Sequence, residues 1–600
     1  MGKPYSQDLR VDDENVSGSE SEIFHLPTSK VSDAKEEADF TVREGRRGKA
    51  ALAAVVAVAI VLRLVWWVST VSVIENEGGE YARLAENLFE GKGYIGLIGP
   101  NVAFPPLYSV LLGLFGFAVG DLEVAGRLVS LISGIALVAV LFLLSRQLFG
   151  TRAGMLSGLL AAVHPVLVAL SVSVFSESLS MLLAMLGAYF AVQAMRTRSL
   201  RFPILSGVSL ALGYLVRPEL LLFTLLVSPI CCLWILVQDW RWLPALRQAM
   251  VPPLVAVLLA SPYMMYLSAE AGRFLWEGKS TVVDLLNVRM RSGHMTYAEA
   301  SHGLSSGSGL KTPYHEGPFL TPDQRISLRE HQVHLSDKLR EIVADAPARA
   351  RVVARYELWR AAFLGAPALW IFALVGFVGS GWWRRHWGGG VLLLGFGVLQ
   401  AATLLIVEYR FLRYFFPLAP VLIPWAAAGI DSLCAGGARL FPGRIALERR
   451  AMLATLTGAV IIIAVVASAY GPASRVSELR ETRDESVKQA GLWLRSETSQ
   501  ASRDVETPAR PQLMGFSAAL SFYSGAVLSY LPYANSDRAL EYIRKKAPDF
   551  IALRSSERNL APYTLEWLDA GIPDECAVPV FQTRSSIGVL ARVWRWTCRG

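Results

Sequence analysis

Along residues 49–470, apolar stretches of roughly 17 to 24 residues alternate with short polar breaks. About 20 apolar residues in a helix cross the ~30 Å hydrocarbon core, and in lipid the backbone must satisfy its own polar groups. The pattern predicts about eleven membrane-spanning helices, at 50–73, 126–147, 153–172, 178–195, 202–216, 218–237, 249–268, 361–381, 388–407, 415–435 and 451–470. A shorter apolar piece, FPPLYSVLLGLFGF, opens on Pro105-Pro106 and reads as a helix lying at the membrane interface; the alternative, a twelfth span, would invert the topology downstream, and the distribution of charge argues against it.

Three long polar segments remain, at 74–125, 269–360 and 471–600. The last reads as a small α/β domain. Val487, Ala490, Leu492 and Leu494 give helical spacing over 483–497, and DFIALRSS, CAVPVF and GVLARVWRW read as strands. Residues 1–48 are polar and poor in aromatics, and are expected to be a disordered cytoplasmic tail. Its opening MGKPYS fits the bare myristoylation pattern, but a chain with this many spans needs no lipid anchor. A first apolar run starting near residue 50, followed by many more, argues for a retained span and against a cleaved signal peptide.

Charge sets the orientation. The chain is 53% hydrophobic and 18% charged, with a formal net charge of +8. The basic residues do not form a nucleic-acid patch. They cluster at alternate ends of the spans, as in Arg43, Arg46, Arg47 and Lys49, in Arg196, Arg198 and Arg201, and in Arg439, Arg444, Arg449 and Arg450. The opposite short loops hold Arg217, Arg410 and Arg413. The positive-inside rule then puts the N-terminus in the cytoplasm, and an odd number of spans puts 471–600 outside. Cys231, Cys232 and Cys434 lie in apolar runs as packing residues. Cys576 and Cys598 bracket the last two strands, a geometry suited to a disulfide outside the cytoplasm.

Several charged residues are candidates for chemistry. Glu75, Glu77 and Glu80 crowd the start of the first outer segment, where carboxylates either cap a helix or serve as a base or metal ligand. Gly78 and Gly79 allow a tight approach beside them. Glu177 opens a span at its outer end. Arg217 and Arg413 sit at outer span ends, at the depth of a lipid phosphate, and guanidinium suits phosphate through its fixed fork of donors. Tyr414 is a partner for Arg413, and Lys279 is a further phosphate contact. Arg63 lies inside the first span, where a charge is a functional candidate by default, facing a cavity or a carboxylate. GRFLWEGKST has five residues between Gly272 and Gly278 where a nucleotide-binding loop needs four, so the nucleotide reading fails. His331 and His334 read as solvated, His164 as structural, and His294, His302 and His315 as parts of a Gly/Ser-rich stretch suited to a lid.

The ordered set of an acidic residue four before Tyr81, LAENL, G-x-GY, PPLY, GRLVSLISGIALVAVLFLLSRQLFG, HPVLVALSVSVFSESL, GVSLALGYLVRPEL and EYRFLRYFFPLAPVLIP resembles GT-C glycosyltransferases. The resemblance is to the dolichyl-phosphate-mannose mannosyltransferase type, including bacterial protein O-mannosyltransferases and lipid A aminoarabinose transferases. It covers roughly residues 55–435.

The resemblance implies an all-α polytopic membrane protein of GT-C type with a small C-terminal extracytoplasmic α/β domain. It implies inverting transfer of a sugar from a polyprenyl-phosphate donor to an acceptor hydroxyl on the outer face of the cell (inner) membrane. The acceptor would be an envelope glycan, a lipid or a protein. The family's acidic residue in the first loop is usually Asp; the matching position here is Glu77, with Glu80 and Glu75 as substitutes. A second acidic residue is carried over to Glu177. Arg413, Arg217, Tyr414, Lys279 and Arg63 are then donor-phosphate candidates. A divalent metal is compatible with the carboxylates, and metal dependence stays open. The competing classes are a transporter or lipid flippase and a non-catalytic membrane scaffold. Transporters often carry internal repeats and broken helices near the midplane. This chain shows no repeat, and its charged candidates gather at the outer surface.

Overall fold

A computed structural model describes residues 28–279, 294–304, 358–406, 412–439, 484–501 and 510–598, apart from 72, 76, 98, 586 and 587, with a few isolated positions between these stretches. The first helices are α1 (Thr28–Ser69), α2 (Glu77–Phe89), α3 (Pro106–Val119), α4 (Leu122–Phe149), α5 (Thr151–Val163), α6 (Pro165–Leu170), α7 (Glu177–Thr197), α8 (Arg201–Tyr214), α9 (Leu220–Asp239) and α10 (Trp242–Ala271). There follow α11 (Tyr297–His302), α12 (Leu358–Gly379), α13 (Trp387–Ile406) and α14 (Ala419–Arg439).

Six helices among the described residues are long and apolar enough to cross a membrane: Gly48–Ser69, Leu122–Phe149, Glu177–Thr197, Leu220–Gln238, Trp242–Ala271 and Arg413–Ala435. Shorter apolar helices lie at Pro106–Val119, Thr151–Val163, Ala368–Gly379 and Trp387–Thr403. Most of the span expected at 451–470 lies outside the described residues.

Local chemistry sets the boundaries. α3 has proline at its first position and ends on Gly120 at φ +78°, the left-handed stop that glycine allows. Asp121 caps α4, accepting from the amides of Glu123 and Val124 at 2.7 and 3.0 Å.

Three expectations need correction. α1 begins at Thr28, inside the segment expected to be disordered; the run from there to Glu44 has neither Gly nor Pro and is rich in Ala, Glu and Lys. The span expected at 153–172 is broken after Val163, because Pro165 has no amide to continue the ladder. The same break explains Arg63, which is fully buried and, among the described residues, pairs with no carboxylate. It donates to the carbonyls of Ala162 at 3.1 Å and Ala161 at 3.4 Å, and to Ser171 Oγ at 3.1 Å. Arg63 thus satisfies carbonyls that the proline leaves without helical partners. His164 is structural, its Nδ1 accepting from the Leu167 amide at 3.5 Å.

The C-terminal region holds α15 (Ser486–Ala501), β1 (Gln512–Gly515), α16 (Ala518–Ser524), β2 (Val527–Tyr530), α17 (Ser536–Lys546), β3 (Phe550–Arg554), β4 (Ala577–Ser585) and β5 (Gly588–Trp596). The five strands run in the order β2-β1-β3-β5-β4. β1 pairs in parallel with β2 and β3, while β5 pairs antiparallel with β3 and β4. The three strands expected from sequence are β3, β4 and β5. Cys576 and Cys598 form the disulfide that ties the outer ends of β4 and β5.

Trp567, Trp594, Tyr542 and Ile543 fill the sheet's own core. A second apolar cluster runs without a break from Ile74, Tyr81, Tyr108, Leu112 and Val174 into Leu520, Tyr523, Phe550 and Val593. The sheet is therefore packed onto the helices around α2. His302, expected in a loose loop, closes α11 and lies buried against the rings of Phe516 and Tyr530, each 5.0 Å between centroids. His315, His331 and His334 lie outside the described residues.

Candidate active site

α2 carries Glu77 at its first position and is held from both sides. On one side, Gly78 lies against the Val174 carbonyl so closely that a Cβ would come within 2.9 Å of it. The Tyr81 hydroxyl donates to Ser176 Oγ at 3.3 Å, next to Glu177. On the other side, Gly79 leaves no room for a side chain against the backbone of Ala518 in α16. Arg83 donates to the carbonyls of Ser521 and Ala526 at 3.2 and 3.3 Å. The paired glycines of the sequence thus mark a real close approach.

Wedged in this way, Glu77 meets residues from distant parts of the chain. Arg413 donates to Glu77 Oε1 at 2.8 Å, and Lys279 Nζ lies 3.7 Å from the same oxygen. Burial by itself would raise the Glu77 carboxyl. The charges of Arg413, Lys279 and Arg217 outweigh burial and hold it down at about 2. Arg413 also lies over the Tyr414 ring, 5.6 Å from its centroid. Gln400 of α13 donates to the Tyr414 carbonyl at 3.3 Å, fixing this turn.

Beside this pair, Arg217 follows α8 and bridges two carboxylates. It donates from one terminal nitrogen to Glu177 Oε1 at 3.0 Å and from Nε to Glu219 Oε1 at 2.8 Å. Burial would lower Arg217, but Glu219, Glu177 and Glu77 together push it up. Glu177 is 1% exposed, and its second oxygen is buried without a hydrogen-bond partner among the described residues. An apolar cleft lined by Met181, Phe223, Phe396 and Val421 runs up to Arg217 and Glu219. Three carboxylates and three cations therefore gather here, and two of them, Arg217 and Glu219, line a narrow apolar cleft.

Of the residues singled out in the sequence, Glu77, Glu177, Arg217, Lys279, Arg413 and Tyr414 come together. Glu80 and Arg63 do not. Glu80 accepts from the Leu97 amide at 3.0 Å and from Asn101 Nδ2 at 2.6 Å, so it clamps the loop after α2. Burial pushes the Glu80 carboxyl up against those two hydrogen bonds. Glu75 is buried in an ion pair with Arg554 at the end of β3. Glu219 escaped sequence reading although it stands two residues beyond Arg217 in the quoted VRPEL. Among the described residues no three His, Cys, Asp or Glu side chains gather as a metal-ligand set. Glu77 faces two cations, a setting that disfavours a further positive ion at the same oxygen.

A family model described as dolichyl-phosphate-mannose-protein mannosyltransferase matches residues 104–266. The match includes Glu177, Arg217 and Glu219 but stops short of Glu77 and Arg413. No curated protein sequence matches the chain. Among solved structures, the apo oligosaccharyltransferase of Archaeoglobus fulgidus is similar with a TM-score of 0.56 at 14% identity, over 91% of this chain and 74% of that one. The same enzyme in complex with an inhibitory peptide and a dolichol-phosphate gives a TM-score of 0.55 at 13% identity, over 91% and 74%. ArnT from Cupriavidus metallidurans bound to undecaprenyl phosphate gives 0.50 at 14% identity, over 90% and 97%.

The chain shares the GT-C fold of these solved structures. With its apolar helices, this fold makes the chain a multi-pass membrane protein.

Proposed function

We propose that the protein is a glycosyltransferase that moves a sugar from a polyprenyl-phosphate donor to an acceptor hydroxyl on the outer face of the membrane. The observation that carries this reading is the ion pair of Glu77 with Arg413 and Lys279, beside Arg217 at the head of an apolar cleft. A base, phosphate-binding cations and a groove for a prenyl chain are the parts such a transfer needs. The family match supports the same reading, as do similar structures that hold dolichol-phosphate or undecaprenyl phosphate.

The acceptor oxygen attacks the anomeric carbon while Glu77 takes its proton. The bond from that carbon to the phosphate oxygen breaks, and its electron pair leaves on the phosphate. Arg413, Arg217 and Lys279 stabilise the charge that grows there. A single displacement of this kind inverts the anomeric centre.

With its carboxyl held near 2, Glu77 is a weak base in the empty protein. An arriving phosphate competes for Arg413 and Lys279 and adds its own negative charge. Both effects raise the carboxyl toward a useful basicity. Donor binding thereby arms the base.

Protein reconstituted in liposomes, supplied with a radiolabelled polyprenyl-phosphate sugar and an envelope extract, should release polyprenyl phosphate and label the extract. A donor that is carried across the bilayer intact would identify a transporter instead.

A further inference from the structure

The C-terminal sheet domain holds the residue two positions before Glu77. Glu75 is 2% exposed, and its carboxylate is paired with Arg554, the last residue of β3. Arg554 is itself 6% exposed and is shared with Glu557, its Nε donating at 3.2 Å. Glu557 also accepts from the Arg554 amide at 3.0 Å, which sets the arginine's backbone before its side chain reaches out. The Glu75 carbonyl in turn accepts from the Gly78 amide at 2.9 Å, in the first turn of α2. The grip on Glu75 is therefore passed to the helix that begins with Glu77.

The neighbouring contacts act in the same sense. The Ile74 amide donates to the Tyr523 hydroxyl at 2.8 Å, and that hydroxyl donates to Glu123 at 2.6 Å. Lys488 of α15 reaches the same Glu123 carboxylate oxygen at 3.0 Å. Residues 74, 75, 79 and 83 are thus all held by the sheet domain, whereas Gly78 and Tyr81 rest on Val174 and Ser176 in the connection between α6 and α7. A domain that merely screened acceptors would need no buried charge at the base of α2. A buried arginine is costly unless its charge is matched, so such a contact fixes geometry at the expense of adaptability.

Resting on the glycosyltransferase reading, we propose that Arg554 is a positioning residue for Glu77: the sheet domain sets the angle at which the base meets Arg413 and the acceptor. It acts through Glu75 and touches no substrate. A displacement of about 1 Å in a reacting group costs on the order of a hundredfold in rate. Loosening Glu75 should therefore appear in kcat far more than in donor KM, because Arg413, Arg217 and Lys279, which hold the donor phosphate, are not carried by α2.

The test compares Glu75→Gln and Arg554→Gln with the full-length wild type in lipid nanodiscs. One readout is steady-state kinetics with a polyprenyl-phosphate sugar. The other is backbone hydrogen exchange of peptides from α2 and from β5. Glu75→Gln leaves the Arg554–Glu557 pair in place, so it keeps the sheet whole even if Arg554→Gln does not. The expected result is a kcat at least tenfold lower, a donor KM within twofold, faster exchange in 77–84 and unchanged exchange in β5. Wild-type kcat with unchanged exchange in 77–84 for Glu75→Gln overturns the proposal, as does a loss confined to KM. If the wild type turns over no donor, the glycosyltransferase reading fails by itself. Exchange in 77–84 then still decides whether the sheet domain holds α2.

Discussion

Arg413 and Glu77 stand 336 positions apart in the chain and meet at 2.8 Å. One belongs to the turn before α14 and the other to the first turn of α2, and each is buried or nearly so. The pair marks the point where α2, the turn before α14 and Lys279 converge. On the proposed reading, its charge balance sets the basicity of Glu77 and the grip on the donor phosphate.

The first prediction concerns pH. A carboxyl lowered from its ordinary 4.5 to about 2 stays ionised, and its ion pairs stabilise the fold, down through pH 4.5. That contribution is lost only as pH falls toward 2. Lys279→Gln removes one of the charges that hold the carboxyl down. The acid limb of kcat/KM should then move to higher pH, whereas the wild-type limb should show no step from this group above about pH 3. A pH–rate profile of both proteins checks the direction.

Arg217 gives a prediction that separates charge from geometry. Arg217→Gln strands Glu177, which is almost fully buried, and Glu219 as well. Breaking a buried pair on one side costs about 3–5 kcal/mol. The variant should unfold at clearly lower temperature. Arg217→Lys should keep most of that stability but raise donor KM, since an ammonium lacks the fork that serves Glu177, Glu219 and a phosphate together. Thermal unfolding in detergent and donor titrations measure the two effects.

Gly79 tests the wedge around α2. A Cβ there would lie 2.9 Å from the carbonyl carbon and oxygen of Ala518, so backbone has to move. Gly79→Ala should slow transfer by about tenfold or more. The long apolar helices lie elsewhere, so insertion should be normal. Membrane yield and turnover, measured side by side, distinguish the two.

Arg63 should behave as a stability residue. Arg63→Leu leaves the carbonyls of Ala161 and Ala162 without their donor. An unsatisfied buried polar group costs about 1–3 kcal/mol. The variant should melt earlier while the folded fraction keeps wild-type kcat. A selective loss of kcat at unchanged melting temperature would return Arg63 to the site.

Much of this architecture is written in local patterns. The spans follow from runs of apolar residues, and β3 to β5 from short apolar stretches bounded by turns. β1 and β2 were not legible, because four residues each are too few to show a period. The break at Pro165 was visible as a proline, but its consequence for Arg63 was not, since that requires knowing that α1 packs beside α5. In the site, Glu77, Glu177, Arg217 and Arg413 stood out because charges at span ends are costly and few. Glu219 carries no signal of its own in the sequence, and Glu75 reads there as a candidate base, not as a structural carboxylate. Only tertiary structure shows that one orients Arg217 and that the other is gripped by Arg554, 479 positions away.

The most direct test of the central claim is a single-turnover experiment with Glu77→Gln. Wild-type and variant protein in nanodiscs would be loaded with a polyprenyl-phosphate sugar, mixed with acceptor, and followed by release of polyprenyl phosphate. Glutamine keeps the shape and cannot take a proton, so the account predicts that the donor still binds while release falls by roughly a hundredfold or more, on the order of what a positioned base contributes. Release at the wild-type rate from Glu77→Gln would contradict the assignment of Glu77 as the base.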